Sequence, residues 1–504
     1  MDFLGARRRR GESTASSSTQ KQNRGRRRGV NLAEGSIGRH LVSLGSFLAL
    51  SVIAVMAIGL VDIYFVARLG AKPLAALSFT FPIVLTLSAI SLGLSNGVVA
   101  VIARAVGEDD HEGIRALGTD SILLGLSFVL VLSVTGYATI DPLFTLLGAD
   151  GEVMPLIKQY MHIWYIGILL QIIPQLGQSI LRAHGDTRTP SLITLVMSVT
   201  NVLLDPILIF GWGVIPALGI RGAVVSNILA RALSLVGVLS ALHFRFHALA
   251  PISFSPARLR NSWKKLLHIG LPSTATQLVM PISAAVVTKI IALSGTLAVA
   301  AYGVGSRIES LTSIYLWAVA GALPAFVGQN AGAGRMDRVR EAVGIAIKFC
   351  VTVGLCMIVI TMLAAPEIVG HFTKDANVSA LASYYLRVVS LSYALSGLVI
   401  IASQTMNALH RPLPAAAIGL TRTVGVLVPF ALLGQWLGQI HGVFIGIAMA
   451  GATCGAIAWL VLTKVLAQES RHQPTPPDEH TTELEAVLGG PVAMDYNTLS
   501  VTKT

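Results

Sequence analysis

Charged residues are scarce in this chain. Asp, Glu, Lys and Arg together make up 12% of its 504 residues. A soluble domain usually carries about 25% charged residues on its hydrated surface. Hydrophobic residues reach 53%, and the mean hydropathy is +0.71. The shortage of charge therefore excludes an ordinary soluble protein and predicts an all-α polytopic membrane protein.

Cysteine and the motifs of soluble catalysis are also rare or missing. The three cysteines, Cys350, Cys356 and Cys454, all fall in apolar stretches, without the spacing of a disulfide framework or a metal site. The chain has no G-x-x-x-x-G-K-[ST] phosphate loop, so an ion gradient must power any pumping. The nearest intramembrane candidate for catalysis, His162, has no evident partner. We therefore predict neither an enzyme nor a bound cofactor.

Long apolar runs dominate what is present. Twelve of them approach the roughly 20 residues that a helix needs to cross a bilayer. A polar arm, 1–38, and a polar tail, 468–504, flank them, and we predict that both are disordered. The predicted spans are 41–67, 74–103, 116–140, 156–181, 190–212, 221–243, 266–294, 298–326, 341–365, 382–407, 413–434 and 442–466.

The distribution of positive charge predicts the orientation. We count thirteen Lys and Arg residues in the even-to-odd loops and five in the opposite loops. Because short cytoplasmic loops are enriched in these residues, both termini should be cytoplasmic. The net charge of +12 is then a signal of topology, and no nucleic-acid partner is expected. We expect a monomer in the plasma membrane, the bacterial inner membrane, in contact with lipid.

An internal repeat divides the chain into two halves. Gly70 and Gly107 recur 225 residues later as Gly295 and Gly332, and further matches recur at a spacing of 223. Six spans per half give both halves the same orientation, which is a parallel repeat known from secondary transporters. The sequence therefore predicts two pseudo-symmetric six-helix lobes, 39–245 and 266–467, joined by a cytoplasmic linker, 246–265.

The spans of the first lobe carry polar groups at one depth. Asp62 and Asp205 each lie six residues below the outer end of a span, and Asn227 lies six residues beyond Arg221. This places all three roughly 9 Å below the outer boundary. Asn201 shares a helical face with Asp205. Since intramembrane acids are costly and usually functional, we predict one site for H+ or Na+ here, with Na+ held by Asp62, Asn201 and Asp205.

A second set of polar residues either joins helices or lines a substrate cavity. Gln171, Gln175 and Gln178 form a polar stripe on the fourth span, and Gln277 lies in the seventh. Tyr64 is an aromatic candidate for the same cavity. Asp62 and Asp205 have valines, Val287 and Val428, at the equivalent repeat positions, so we expect ion coupling to be confined to the first lobe.

Five segments resemble the multidrug and toxic compound extrusion (MATE) family of transporters. They are V-D-I-Y-F-V-A-R-L-G at 61–70, L-R-A-H-G-D-T-R-T-P at 181–190, N-V-L-L-D-P-I-L-I-F-G at 201–211, L-A-V-A-A-Y-G-V-G-S-R-I at 297–308 and V-G-Q-N-A-G-A-G-R at 327–335. Their order is specific, and the resemblance covers about 41–466. It implies two lobes in a V around a central cavity. It also implies ion-coupled antiport of organic, often cationic, compounds.

The resemblance also assigns residues of the coupling site. Asp62 corresponds to the family's acid in the first span, and Asn201 and Asp205 to its pair in the fifth. Ala223 would supply a backbone oxygen, and Asn227 replaces the usual Thr. Two alternatives remain: a lipid-linked saccharide flippase of the same superfamily, and an ion channel, which would show single-channel conductance.

Overall fold

Helices make up nearly all of the structure, a computed structural model that describes residues 30–149, 151–251 and 255–471. No strand occurs in these ranges. The predictions for 1–29 and for the tail beyond 471 lie outside the described residues. The helices are α1 Ile37–Ala67, α2 Ala71–Gly107, α3 His111–Ala138, α4 Ile140–Leu146, α5 Met154–Gly167, α6 Leu169–Ala183, α7 Arg188–Phe210, α8 Ile220–Ser240, α9 Pro256–Ala292, α10 Thr296–Thr312, α11 Ile314–Gly332, α12 Met336–Gly370, α13 Ala376–Ser390, α14 Tyr393–Ala408, α15 Pro412–Leu420 and α16 Val428–Arg471.

Three of the predicted spans are bent rather than continuous. The pairs α5–α6, α10–α11 and α13–α14 bend by 41°, 43° and 56° and are each apolar enough to be one span. At two of the bends a serine hydroxyl donates a hydrogen bond to a backbone carbonyl of the preceding turn. Ser313 Oγ donates to Glu309 O at 2.8 Å, and Ser392 Oγ donates to Val389 O at 2.8 Å. Such side-chain bonds compete with the backbone ladder and bend helices. The bend at Ile168 has no such donor.

The last helical segment folds back on itself. Helix α15, a π-helical turn at Thr421–Leu427 and α16 form one run of 58 residues to Glu469, far longer than one pass through a bilayer of about 30 Å. Gly438 and Gln439 leave the helical conformation. A Cβ on Gly442 would lie 2.0 Å from Gly434 O, so the segments on either side pack closely as a hairpin.

The number of spans follows from these features. Eight helices in the described ranges are long and apolar enough to cross a membrane, and the three bent pairs raise the number to eleven. The hairpin at Gly438 supports one further pass. The count of twelve remains a prediction, whereas the all-helical membrane class is clear.

The repeat is visible as matched close contacts between the two halves. A Cβ on Gly107 would lie 2.1 Å from Gln329 O, and one on Gly332 would lie 2.2 Å from Arg104 O. Arg104 and Gln329 occupy equivalent positions in the repeat. Helices α2 and α11 therefore cross in backbone contact around a local two-fold axis. We call the end of the molecule at this crossing, which also holds Ile37 and Arg471, the terminal face, and the opposite end the distal face.

The two lobes are in contact near the terminal face and separate toward the distal face. In α2, nearly every residue from Ser91 to Ala105 is buried, whereas most of those from Ala71 to Leu85 are partly or fully exposed. In α11, Ala322 to Asn330 is a continuous buried run, whereas most residues of α10, at the distal end, are partly or fully exposed. This burial pattern fits a V that opens at the distal face.

An N-terminal strap, residues 30–36, joins the lobes across the terminal face. The Leu32 side chain is buried, and its amide donates to Gln329 Oε1 at 3.1 Å. Gln329 Nε2 in turn donates to Ala183 O of the first lobe at 2.7 Å. Residues 30–36 belong to the arm predicted to be disordered, but these bonds hold them in place. Helix α9 similarly begins at Pro256, inside the predicted linker 246–265.

Candidate functional site

Helix α7 carries two of the predicted polar groups to the inside of the first lobe. Asn201 and Asp205 are both buried, at 1% and 0% exposure, on the face of α7 that packs against α1 and α8. Pro206 lacks an amide hydrogen, so the Val202 carbonyl loses its helical donor. The helix ends at Gly211, whose φ of 81° is the conformation that favours glycine.

Asp62 of α1 meets Asp205 at this point. The two carboxyl groups are near enough to interact with each other, although 143 positions separate them in the chain. One oxygen of each carboxyl group, Asp62 Oδ1 and Asp205 Oδ2, is buried without a hydrogen-bond partner, and so is Asn201 Oδ1. Unpaired buried oxygens are costly, so this cluster is suited to receive a proton or a cation.

Helix α8 closes the cluster through Ser226, which the sequence analysis did not select. Its hydroxyl lies against Asp205 Oδ1 and is also 2.9 Å from Ala223 O, so its one proton can serve either acceptor. Asn201 Nδ2 lies 3.5 Å from the same hydroxyl. The Ala223 carbonyl, which the resemblance assigns as an ion ligand, thus already has a donor within reach.

A positive charge stands beside the acids. Arg231 Nε donates to Asn227 Oδ1 at 2.5 Å, and its guanidinium is near enough to interact with Asp62 and with Tyr160 of α5. The Asn227 oxygen, expected to face the ion, is therefore bound by Arg231. Arg231 is not among the residues predicted from the sequence. The spacing offered a signal, because Ala223, Asn227 and Arg231 follow one another at four-residue intervals and so share a helical face.

The predicted cavity residues divide into two groups. Gln171 Nε2 donates to Ser88 Oγ of α2 at 3.0 Å, and Gln178 bonds Ser234 of α8 at 3.5 Å and Thr194 of α7 at 3.4 Å. These two glutamines therefore join helices. Gln175 and Gln277 are partly buried. Tyr64 is exposed beneath the guanidinium of Arg68, 4.6 Å from its ring centre.

A further intramembrane acid, Glu309 of α10, lies in the second lobe. Tyr385 of α13 donates its hydroxyl to Glu309 Oε2 at 2.5 Å, and Arg422 is near enough to interact with the same carboxylate. The sequence analysis did not select Glu309, although it lies within the predicted span 298–326. The second lobe thus has a carboxylate with partners, unlike the unpaired oxygens of the first.

The described ranges contain no set of side chains suited to bind a transition metal. No three or more His, Cys, Asp and Glu side chains come together there to hold a metal ion. The acidic cluster has two carboxylates and an amide, which are hard oxygen donors that suit H+ or Na+.

Comparisons with known proteins agree on one group of membrane transporters. The MatE family profile matches residues 48–207 and 272–433, one match in each half. An FAD transporter from Shewanella oneidensis is 33% identical over 436 residues, covering 86% of this chain and 96% of that protein.

Two further relatives extend the comparison to drug export and to structure. The multidrug export protein MepA of Staphylococcus aureus is 24% identical over 413 residues, which is 80% of this chain and 88% of that protein. The crystal structure of the Vibrio cholerae MATE transporter VcmN in the bent form superimposes with a TM-score of 0.83 at 30% identity, covering 87% of this chain and 99% of that one.

Proposed function

The chain belongs to the MATE family of membrane transporters, and from this premise we propose that it exports small organic compounds in exchange for protons. The observation that carries the proposal is the closeness of Asp62 and Asp205, each of which has one buried oxygen without a hydrogen-bond partner. Two acids at such close range cannot both be charged without strong repulsion, so the pair is suited to hold and release a proton.

The surroundings of the pair favour a proton over Na+. Na+ binding would need several converging oxygens, but Arg231 occupies the Asn227 oxygen, and Ser226 is within reach of the Ala223 carbonyl. A proton needs only one acceptor atom, whereas Na+ needs a shell of several oxygen ligands.

Proton loading can change the packing of the helices that carry the pair. A shared proton binds the carboxyl groups of α1 and α7 to each other, whereas loss of the proton leaves two negative charges that separate or turn toward Arg231. Since α1 also packs against α11 of the second lobe, a shift of α1 alters how the lobes meet. Alternating access would follow if proton and substrate favour opposite arrangements.

The test uses purified protein in liposomes loaded with a fluorescent organic cation. Efflux is measured with a pH gradient or a Na+ gradient imposed separately, for the parent and for Asp62→Asn, Asp205→Asn and the control Glu309→Gln. We expect the pH gradient alone to drive efflux, a loss of at least tenfold in either Asp variant, and little change in the control. Efflux that follows the Na+ gradient, or that persists in both Asp variants, would refute the proposal.

A second candidate substrate is a flavin dinucleotide. The FAD transporter is 33% identical and almost fully covered, whereas the drug exporter MepA is 24% identical. The same liposomes loaded with FAD distinguish the two, because FAD is a large anion and the dye a cation. Faster gradient-driven release of FAD than of the dye would support the flavin substrate; release of the dye alone would exclude it.

The setting of the transporter completes the proposal. It is an integral membrane protein, and we place it as a monomer in the plasma membrane with both termini in the cytoplasm. The orientation can be tested by fusing a reporter that is active only in the cytoplasm to each terminus. Both fusions should be active. The relatives give no support to the saccharide flippase considered from the sequence.

A further inference from the structure

A cavity of about 480 Å³ opens at the terminal face where the two lobes meet. One wall is the end of α2, with Arg104, and another is the first turns of α9, with Lys264, Lys265 and His268. The loop after α14 adds His410 from the second lobe. The cavity is far from the acid pair, and the proposed transport cycle does not use it.

The cavity carries more positive than negative charge. Its two acids are already engaged: Glu108 pairs with Arg104 at 3.0 Å, and Asp110 accepts the amide of Gly113 at 2.9 Å as the cap of α3. No carboxylate of the described residues lies within 4.0 Å of the Lys264 or Lys265 ammonium groups. Two uncompensated ammonium groups at the edge of a cavity form a binding site for an anion.

An apolar cavity of about 490 Å³ adjoins the basic one and shares Lys264 with it. Leu259, Trp263 and Leu267 of α9 line it. The Trp263 ring is held in position because its Nε1 donates to Asp120 O at 3.0 Å. The start of α9 is also anchored, since Arg258 pairs with the buried Asp120 at 3.1 Å. The two cavities thus place an anion site beside a shallow apolar surface formed by α9 alone.

These two cavities lie at the level of the headgroups of a lipid bilayer. Lys265 and Lys289 lie near opposite ends of α9, 24 residues apart. At about 1.5 Å per residue this separation is roughly 36 Å, slightly more than the hydrocarbon thickness of about 30 Å. Both lysines are exposed, as expected for side chains that reach the two headgroup layers. Lys264 and Lys265 are therefore at headgroup level.

We propose that this site binds an anionic phospholipid of the leaflet at the terminal face. Its phosphate contacts Lys264 and Lys265, and an acyl chain covers Trp263 and Leu267. Basic pockets between helices at the cytoplasmic surface are suited to such headgroups. Arg104 of the first lobe and His410 of the second line the same cavity, so the bound lipid lies where the lobes meet.

The experiment measures lipid retention by native mass spectrometry on the full-length, delipidated protein. Phosphatidylglycerol or phosphatidylcholine is added back to the parent, to the double variant Lys264→Ala/Lys265→Ala, and to Lys464→Ala. Lys464 is an exposed lysine near the same face but outside both cavities. We expect the parent to retain phosphatidylglycerol at least fivefold better than phosphatidylcholine, the double variant to lose this preference, and Lys464→Ala to keep it.

Three outcomes would overturn the proposal. The first is equal retention of the two lipids by the parent, and the second is an unchanged preference in the double variant. The third is displacement of phosphatidylglycerol by 10 mM inorganic phosphate, which would indicate a site for a free phosphate compound. Both lysines are exposed, so the double variant should fold. Trp263→Ala, which removes the acyl contact together with the bond to Asp120 O, should also reduce retention.

Discussion

The guanidinium of Arg231 stands beside the carboxyl pair. It binds Asn227 and interacts with Asp62, so it fills an oxygen that Na+ would need. We predict that Arg231→Gln allows a Na+ gradient to drive efflux and weakens the response to a pH gradient. The measurement is dye efflux from liposomes with each gradient imposed alone.

The control for Arg231 is Arg221→Gln, an exposed arginine at the distal end of the same helix. It should leave the ion preference unchanged. If Arg231→Gln responds to both gradients as the parent does, the guanidinium does not select the ion.

His184 introduces a pH-dependent stability at the terminal face. Burial lowers the pKa of His184 below its ordinary value of 6.5, and the ring packs against Phe246 with its centre 5.5 Å away. The folded state therefore favours the neutral ring. The contribution of the neutral ring to the free energy of unfolding is fully present above pH 6.5 and is lost as the pH drops toward the lowered pKa. The loss is about 1.4 kcal/mol for each pH unit by which the pKa is lowered.

The apparent melting temperature, followed between pH 8 and pH 5.5, should therefore decrease, and His184→Gln should decrease less over the same range. Burial lowers the pKa of His410 too, so part of the decrease should survive in the variant. An identical pH profile for parent and variant would show that His184 does not contribute.

The residues of the site show what local patterns can and cannot reveal. Depth counting placed Asp62, Asp205 and Asn227 at one height, because a helix converts residue number into height. In the structure Asp62 and Asp205 are near enough to interact. Depth counting could not reveal that Arg231 occupies the Asn227 oxygen, since rotamers and neighbours decide that. It also missed Glu309, an acid whose environment only the packed second lobe defines.

Among the helices, the crossing of α2 and α11 depends on two glycines related by the repeat. A methyl group on Gly107 or Gly332 would lie 2.1 or 2.2 Å from a backbone oxygen of the other helix. We predict that Gly107→Ala and Gly332→Ala each destabilise the protein by about 1–3 kcal/mol, and by similar amounts, because the contacts are equivalent. Thermal unfolding in detergent measures this effect.

Gly344→Ala on α12 is the matched control. No atom lies within 4 Å of the Cβ it would add, so it should stabilise the helix slightly, by about 0.5–1 kcal/mol. A destabilisation by Gly344→Ala as large as that of the other two would show that the close crossing is not the cause.

The N-terminal strap depends on Arg338, whose guanidinium donates to Leu32 O at 3.2 Å and to Gly35 O at 3.0 Å. Without these donors the strap loses two of its bonds to the second lobe, whereas those with Gln329, Asn330 and Arg335 remain. We predict that Arg338→Ala speeds hydrogen exchange of the Leu32 amide at least fivefold, measured by mass spectrometry.

Lys348→Ala, an exposed cation of the same helix, is the control for the strap and should not change the exchange. Equal exchange in the parent and Arg338→Ala would mean that the bonds from Gln329 and Asn330 suffice. The strap itself was predicted as disordered because its polar sequence has no apolar run; its order comes from partners about 300 positions away.

For the whole molecule, the burial of α2 and α11 predicts a V whose opening responds to protonation. Spin labels at Ala71→Cys and Thr296→Cys mark equivalent, exposed starts of α2 and α10 at the distal face, after Cys350, Cys356 and Cys454 are replaced by Ala. We predict that the distance distribution between the labels shifts between pH 8 and pH 5, as measured by pulsed electron spin resonance.

The same labels in the Asp205→Asn background provide the comparison. This distribution should not depend on pH, because Asp62 no longer has a second carboxyl group with which to share a proton. If the distance distribution of the parent is identical at both pH values, protonation of the acids does not control the opening of the lobes.

The sequence by itself determined the membrane class, the positions of most spans, the repeat and the depth of the acids. These properties depend on hydropathy, on helical rise and on spacing along the chain, all of which are local. The tertiary structure alone decided which polar atoms have partners, where three spans bend, that the chain's last segment is a hairpin and that a strap joins the lobes. Each of these depends on atoms from distant parts of the chain, whose distances no local pattern encodes.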